Sequence, residues 1–153
     1  MLKEGDKAPA IHLDTDTGVP FRLSDLKGKK VVLYFYPKAD TPGCTVEACD
    51  FRDQSKKFAG KDAVIVGISP DAVKSQSKFK EKFGLPFTLL CDVDKEVAQA
   101  YGVYKEKNMY GKKVMGIERT TFIIGADGRI ARIFPKVKAQ GHTEQVLEAL
   151  TAR

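Results

Sequence analysis

Three cysteines and two histidines are the groups in these 153 residues best suited to covalent or metal chemistry. The most informative is Cys44, which lies in Tyr36-Pro37-Lys38-Ala39-Asp40-Thr41-Pro42-Gly43-Cys44-Thr45-Val46-Glu47-Ala48-Cys49, a stretch that leaves an apolar run and enters a helix-like pattern. A cysteine at a helix start meets unpaired backbone N–H groups and the positive end of the helix dipole, and both favour the thiolate, which is the nucleophile. Pro42 and Gly43 bring the backbone tightly into the helix, and Thr41 sets a hydroxyl three residues before the sulfur, where it can donate to or accept from a bound oxygen. Position alone leaves two readings open, a reactive thiol or a small buried hydrophobe.

At about 100° per residue, Ala48, Phe51, Ser55 and Phe58 fall within about 40° of Cys44, so the sulfur should head the core-facing stripe. Cys49 lies about 140° round the same helix, with its Cα about 8.6 Å from that of Cys44, beyond the disulfide limit of about 7 Å while the turn is helical. Two cysteines five apart do not match zinc spacing, and His12 and His142 form no ligand pair, so neither a metal nor a cofactor is expected. Cys91, following Thr88-Leu89-Leu90, reads as a buried structural thiol, and both histidines read as polar residues at element ends.

The elements that must position Cys44 follow from patterning. Ile11 to Asp14 and Val19 to Leu23 flank Asp16-Thr17-Gly18 as a short hairpin, leading to a small turn over Ser24 to Gly28. Val31 to Tyr36 is a continuous β-branched and aromatic run, suited to a central strand buried on both faces. A helix from about Thr45 to Phe58, a second buried strand from Ala63 to Ile68 and a helix from about Val73 to Phe83 come next. A strand at Thr88 to Leu90 and a short helix near Lys95 to Tyr101 follow. Thr120 to Ile124, the Asp127-Gly128 turn and Ile130 to Phe134 make a hairpin, and Thr143 to Leu150 a closing helix. This order describes an α/β fold with a central mixed β-sheet flanked by helices, as one domain over residues 1–153. Cys44 then sits where a central strand runs into a helix, the junction at which open α/β sheets bind ligands.

Composition narrows the function. No apolar run approaches the roughly 18 residues of a membrane span, and nothing at the N-terminus reads as a secretory signal, so no membrane association and a cytoplasmic location are expected. The net charge of +6 raises nucleic acid as a partner, but the basic pairs Lys29-Lys30, Lys56-Lys57 and Lys112-Lys113 are interleaved with acids, as on solvated faces. Three cysteines are too few and odd for a disulfide framework and fit reactive thiols in a reducing compartment.

Pro37, Thr41 and Cys44 match the Pro-x-x-x-Thr-x-x-Cys signature of the peroxiredoxins, and the run from Thr41 to Cys49 resembles the bacterioferritin comigratory protein (PrxQ) subfamily. Gly67-Ile68-Ser69-Pro70-Asp71, Lys82 to Phe87, Tyr101-Gly102-Val103 and Arg119 to Ile124 resemble it too, so the similarity covers nearly the whole chain. The resemblance implies a thioredoxin-like fold with an N-terminal β-hairpin extension and a peroxidase for hydrogen peroxide and organic hydroperoxides. It makes Cys44 the peroxidatic cysteine, Thr41 the hydroxyl that contacts peroxide and Arg119 the active-site arginine. Pro37 would shield the sulfur from water, Glu47 orient the arginine and Cys49 act as the resolving cysteine of a Cys44–Cys49 disulfide. Thioredoxin or a similar dithiol donor is the implied reductant, and a monomer is expected.

A free cysteine is only about 3% thiolate at neutral pH, so full ionisation gains roughly 30-fold, about 2 kcal/mol. A peroxidase needs more, and the remainder would come from Arg119, Thr41 and helix-start N–H groups holding the peroxide in line. Three other readings compete. A thioredoxin-like disulfide oxidoreductase would use Cys-x-x-Cys, which this chain lacks. A redox sensor or holdase would react slowly with peroxide, and a nucleic-acid module would bind DNA in a salt-dependent way.

Overall fold

The computed structural model describes residues 2–151. Seven strands form one mixed sheet in the order β2-β1-β5-β4-β3-β8-β9. β1 (His12–Thr15) and β2 (Pro20–Arg22) are the expected N-terminal hairpin, and β1 joins the edge of the sheet by pairing antiparallel with β5 (Thr88–Cys91). A 3₁₀ turn, Leu23–Leu26, precedes β3 (Lys30–Phe35). β3, β4 (Ala63–Ser69) and β5 run parallel, whereas β8 (Thr120–Ile124) and β9 (Ile130–Phe134) add an antiparallel edge.

Period-2 alternation along β3 divides the interior in two. Val32, Tyr34 and Tyr36 pack with α1 (Pro42–Asp53), α2 (Ser55–Ala59), α3 (Val73–Phe83) and α5 (His142–Thr151) through Phe51, Phe58, Phe79 and Val146. Val31, Leu33 and Phe35 pack on the other face with Val97 and Ala98 of α4 (Glu96–Ala100), Tyr101 and the N-terminal Ile11. Gly67 stands beside Tyr34 and Leu89 in the registered strands, where a Cβ would lie 2.9 Å from the Tyr34 ring and 2.9 Å from Leu89. Only glycine leaves room there for the Tyr34 ring, which stacks on Phe51 with centroids 4.7 Å apart.

The structure departs from the expected elements at three places. The first helix starts at Pro42 rather than Thr45, because Pro42 takes the first helical position, where a missing N–H costs nothing. It also breaks at Gln54 into two helices, so Ser55 and Phe58 belong to α2. A hairpin absent from the expectation, β6 (Tyr104–Met109) and β7 (Lys112–Ile117), forms a separate two-stranded sheet. Its turn places both Tyr110 (φ 55°) and Gly111 (φ 80°) in the left-handed region. No helix among the described residues is long and apolar enough to cross a membrane.

Candidate active site

Cys44 occupies the first turn of α1, directly beyond the C-terminal end of β3, and is 1% exposed. Thr41 precedes the helix in an extended conformation (φ −96°, ψ 158°). Its hydroxyl does not cap the helix but donates to the Lys38 carbonyl at 2.8 Å. With its single proton committed there, the Thr41 oxygen offers only lone pairs to anything bound above Cys44. The first helical N–H to find a carbonyl is that of Thr45, bonded to Thr41 O at 2.8 Å. The Gly43 and Cys44 N–H groups lie before it and have no partner among the described residues.

Arg119 reaches this turn from the other side of the chain. It stands immediately before β8, whose first residue, Thr120, is paired with Phe35 at the end of β3, so strand register sets the arginine against the helix start. Its Nη2 donates to Cys44 Sγ at 3.2 Å and its Nη1 to Glu47 Oε1 at 2.8 Å. Both Cys44 and Glu47 face inward from consecutive turns of α1, as their three-residue spacing requires. Gly43 permits the approach, since a Cβ there would lie 3.2 Å from Arg119 Nη2.

Glu47 is fully buried, and its second oxygen, Oε2, has no hydrogen-bond partner among the described residues. Burial pushes its carboxyl up to about 7, against the opposing pull of the Arg119 guanidinium. The pair is therefore a positioning device more than a source of stability, because desolvation offsets most of the attraction between buried charges.

The unexpected hairpin supports Arg119. Lys105 Nζ pairs with Glu118 Oε2 at 2.7 Å, and Lys107 Nζ donates to the Ile117 carbonyl, so two β6 lysines hold the residues just before the arginine. Gly116 leaves the Lys107 stem its path, with a Cβ there only 3.3 Å from Lys107 Cδ. On the other side Val137 N–H donates to Arg119 O at 2.8 Å. The legible signal for the hairpin was Tyr110-Gly111 between polar alternating runs, which lack the apolar face that marks a strand.

The remaining expected residues fall as follows. Pro37 is half-buried on the loop between β3 and α1. Cys49 lies on α1, half-buried, and all three cysteines are free. Cys91 ends β5 near the Thr15 carbonyl, 3.8 Å from its sulfur, and burial followed by the charge of Asp16 pushes its thiol up to about 11. It is thus poorly suited to act as a nucleophile. His12 is exposed, but His142 is not the simple element-end residue its sequence suggests. It does begin α5, but it is 2% exposed, bonded through Nε2 to Thr121 Oγ1 at 2.8 Å and edge-on to Phe51 and Phe134, and burial lowers its pKa. Among the described residues no three His, Cys, Asp or Glu gather as a metal ion would require. Clefts of about 490 and 810 Å³ lie at the opposite end of the sheet, against Lys30, Val31 and Ile124, and touch none of the residues around Cys44.

Comparison with known proteins gives a single answer. The AhpC/TSA family model matches residues 4–133. The chain is 53% identical over 149 residues to a putative peroxiredoxin Bcp of Coxiella burnetii, covering 97% of this chain and 99% of that protein. It is 52% identical to peroxiredoxin Bcp of Bacillus subtilis, covering 97% and 95%. Among solved structures it superposes on the bacterioferritin comigratory protein of Xanthomonas campestris with a TM-score of 0.92 and 41% identity, covering 98% of each chain. That structure was determined with trapped intermediates and ligands to explain alkyl peroxide reduction. The thioredoxin-like fold expected from the sequence is the fold observed.

Proposed function

The chain belongs to the AhpC/TSA family and is a peroxiredoxin, and from that premise we propose that it reduces hydrogen peroxide and organic hydroperoxides at Cys44. The observation that carries the assignment is the bond from Arg119 Nη2 to Cys44 Sγ, made inside a buried turn and steadied by Glu47. A guanidinium held against the sulfur leaves a cation beside the oxygen on which charge develops.

The Cys44 thiolate attacks the terminal peroxide oxygen. The O–O bond breaks and its electron pair leaves on the distal oxygen, which is protonated to water or an alcohol, and Cys44 becomes a sulfenic acid. Arg119 and the open Gly43 and Cys44 N–H groups stabilise the developing charge, while the Thr41 oxygen accepts the peroxide O–H. Pro37 limits water at the sulfur. The Cys49 thiol then condenses with the sulfenic acid, forming the Cys44–Cys49 disulfide and releasing water. A dithiol such as reduced thioredoxin returns both thiols and is itself oxidised. In this reading one domain works as a monomer in the cytoplasm.

The test is peroxide consumption with thioredoxin and thioredoxin reductase, alongside mass spectrometry of the oxidised chain. Wild type should turn over and yield a Cys44–Cys49 disulfide, Cys44→Ser should be inactive, and Arg119→Met should be slower by roughly 10² to 10³. Activity surviving in Cys44→Ser but lost in Cys91→Ser would overturn the assignment.

A further inference from the structure

The run Ser69-Pro70-Asp71 touches neither Cys44 nor Arg119, yet it ties a polar chain, buried at Tyr36, Ser69 and Gln76 and half-buried at Asp71, to the loop before Cys44. Asp71 Oδ2 accepts from the Ala39 backbone N–H at 2.7 Å and from Ser69 Oγ at 2.7 Å, and its Oδ1 from Ser75 Oγ at 3.2 Å. Ser69 Oγ in turn accepts from Gln76 Nε2 at 2.9 Å. Gln76 is fully buried on α3. Its Oε1 takes the Tyr36 hydroxyl at 2.7 Å and its Nε2 also reaches the Leu90 carbonyl at 2.9 Å. One network therefore joins the residue after β3, the end of β4, the start of α3 and β5 to a single amide of the loop that carries Thr41. At the surface, Lys82 Nζ of the same helix pairs at 3.0 Å with Oδ2 of the next residue, Asp40, whose backbone is left-handed at φ 59°.

The loop needs such a clamp. Residues 37–41 have no ladder partner, Asp40 is in a conformation that costs a non-glycine residue energy, and Thr41 must present its oxygen above Cys44 to within a fraction of an ångström. Lys38, whose carbonyl fixes the Thr41 hydroxyl, lies next to the amide that Asp71 holds. A network anchored in the buried Tyr36–Gln76–Ser69 core, with its members satisfied, holds one arrangement rigidly.

We infer that Asp71 is a positioning residue of the peroxidase, holding the 37–41 loop and the first turn of α1 in the arrangement that accepts peroxide. It therefore favours the first step, sulfenic acid formation, and opposes the second, in which that turn must open for Cys49 to reach Cys44. The inference rests on Cys44 and Cys49 having the roles given above.

The two steps are read separately. Sulfenic acid formation is followed by rapid mixing with hydrogen peroxide, trapping with a dimedone-type reagent and mass spectrometry in a Cys49→Ser background; disulfide formation is followed by acid quench in chains that keep Cys49. Asp71→Ala should slow the first step about tenfold or more and leave the second as fast as in wild type or faster. Asp71→Asn keeps an oxygen for the Ala39 amide and should restore the first step to within about threefold. An Asp71→Ala chain that forms sulfenic acid at the wild-type rate, or loses both steps in equal measure, overturns the inference. Should that variant not fold, the reduced wild-type protein decides: its Ala39 amide should exchange as slowly as sheet amides, and exchange at a free-loop rate overturns the clamp. Failure of the underlying reading looks different, since the wild-type chain would then give no Cys44–Cys49 disulfide at all.

Discussion

Glu47 shows how much of the site is built by burial rather than by charge. Its carboxyl sits up at about 7 because desolvation outweighs the nearby guanidinium, so the folded state holds its proton more tightly than the unfolded chain, where a glutamate titrates near 4.5. A group raised in this way contributes stability that is fully present below pH 4.5 and is lost as pH rises through about 7. The reduced protein should therefore lose up to about 3 kcal/mol between those limits from this residue alone. Urea midpoints measured at pH 4.5 and 7.5 should fall for wild type and fall distinctly less for Glu47→Gln; parallel slopes in the two proteins would contradict the assignment. Thr41 and Cys44 were singled out in the sequence by a spacing motif and Arg119 by the family resemblance, and the fold places the Arg119 guanidinium on the Cys44 sulfur. Gly43 was legible only as a tight turn, since the Arg119 nitrogen that fills its empty side comes from a residue far along the chain. His142 does stand at an element end, as the first residue of α5, but its burial was not legible, being created by Thr121, Phe51 and Phe134, none of them neighbours in sequence.

At the scale of elements, α1 carries both thiols of the proposed disulfide, and on that reading it must be two structures in turn. While Pro42–Asp53 is helical the sulfurs face different sides, and an ideal helix keeps their Cα atoms about 8.6 Å apart, too far to bond. Forming the disulfide gives up the first helical hydrogen bonds and the packing of Ala48 and Phe51, both fully buried. Hydrogen exchange should show protection lost between Thr45 and Phe51 on oxidation, with β3 and β4 unchanged. Equal protection in the two states, or a disulfide mapped to Cys91, would remove Cys49 from its role. The same helix shows where patterning stops: its apolar stripe runs on through Phe58 although the backbone breaks at Gln54, because α2 continues the stripe after a turn. The β6–β7 hairpin was missed for the opposite reason. Its strands are largely exposed and bind through backbone bonds and lysine contacts, leaving no hydrophobic period to read.

Over the whole molecule, the alternation along β3 and its neighbours assigns each residue to one of two cores, and the strands buried on both faces were the parts most plainly written in the sequence. Gly67 tests that architecture at its centre. Gly67→Ala would drive a methyl against the Tyr34 ring and Leu89, both fully buried, at a cost of about 1 to 3 kcal/mol. Thermal unfolding of the reduced protein should show Tm lower by several degrees. An unchanged Tm would mean that the Tyr34 ring does not occupy the space above Gly67. The two halves of the candidate site hang on this same sheet, one leaving β3 and the other entering β8, with the bonded sulfur and guanidinium 75 positions apart in the chain.

That separation gives the protein a history as well as a shape. A chain still being synthesised exposes Cys44 long before Arg119 exists, and for that interval the thiol is an ordinary one, no more attractive to peroxide than any other in its surroundings. If Cys44 is the peroxidatic thiol as proposed, its partner arrives only when the strand leading out of Arg119 locks beside β3, so the cysteine is armed by the completion of folding and the unfinished chain is spared the oxidant.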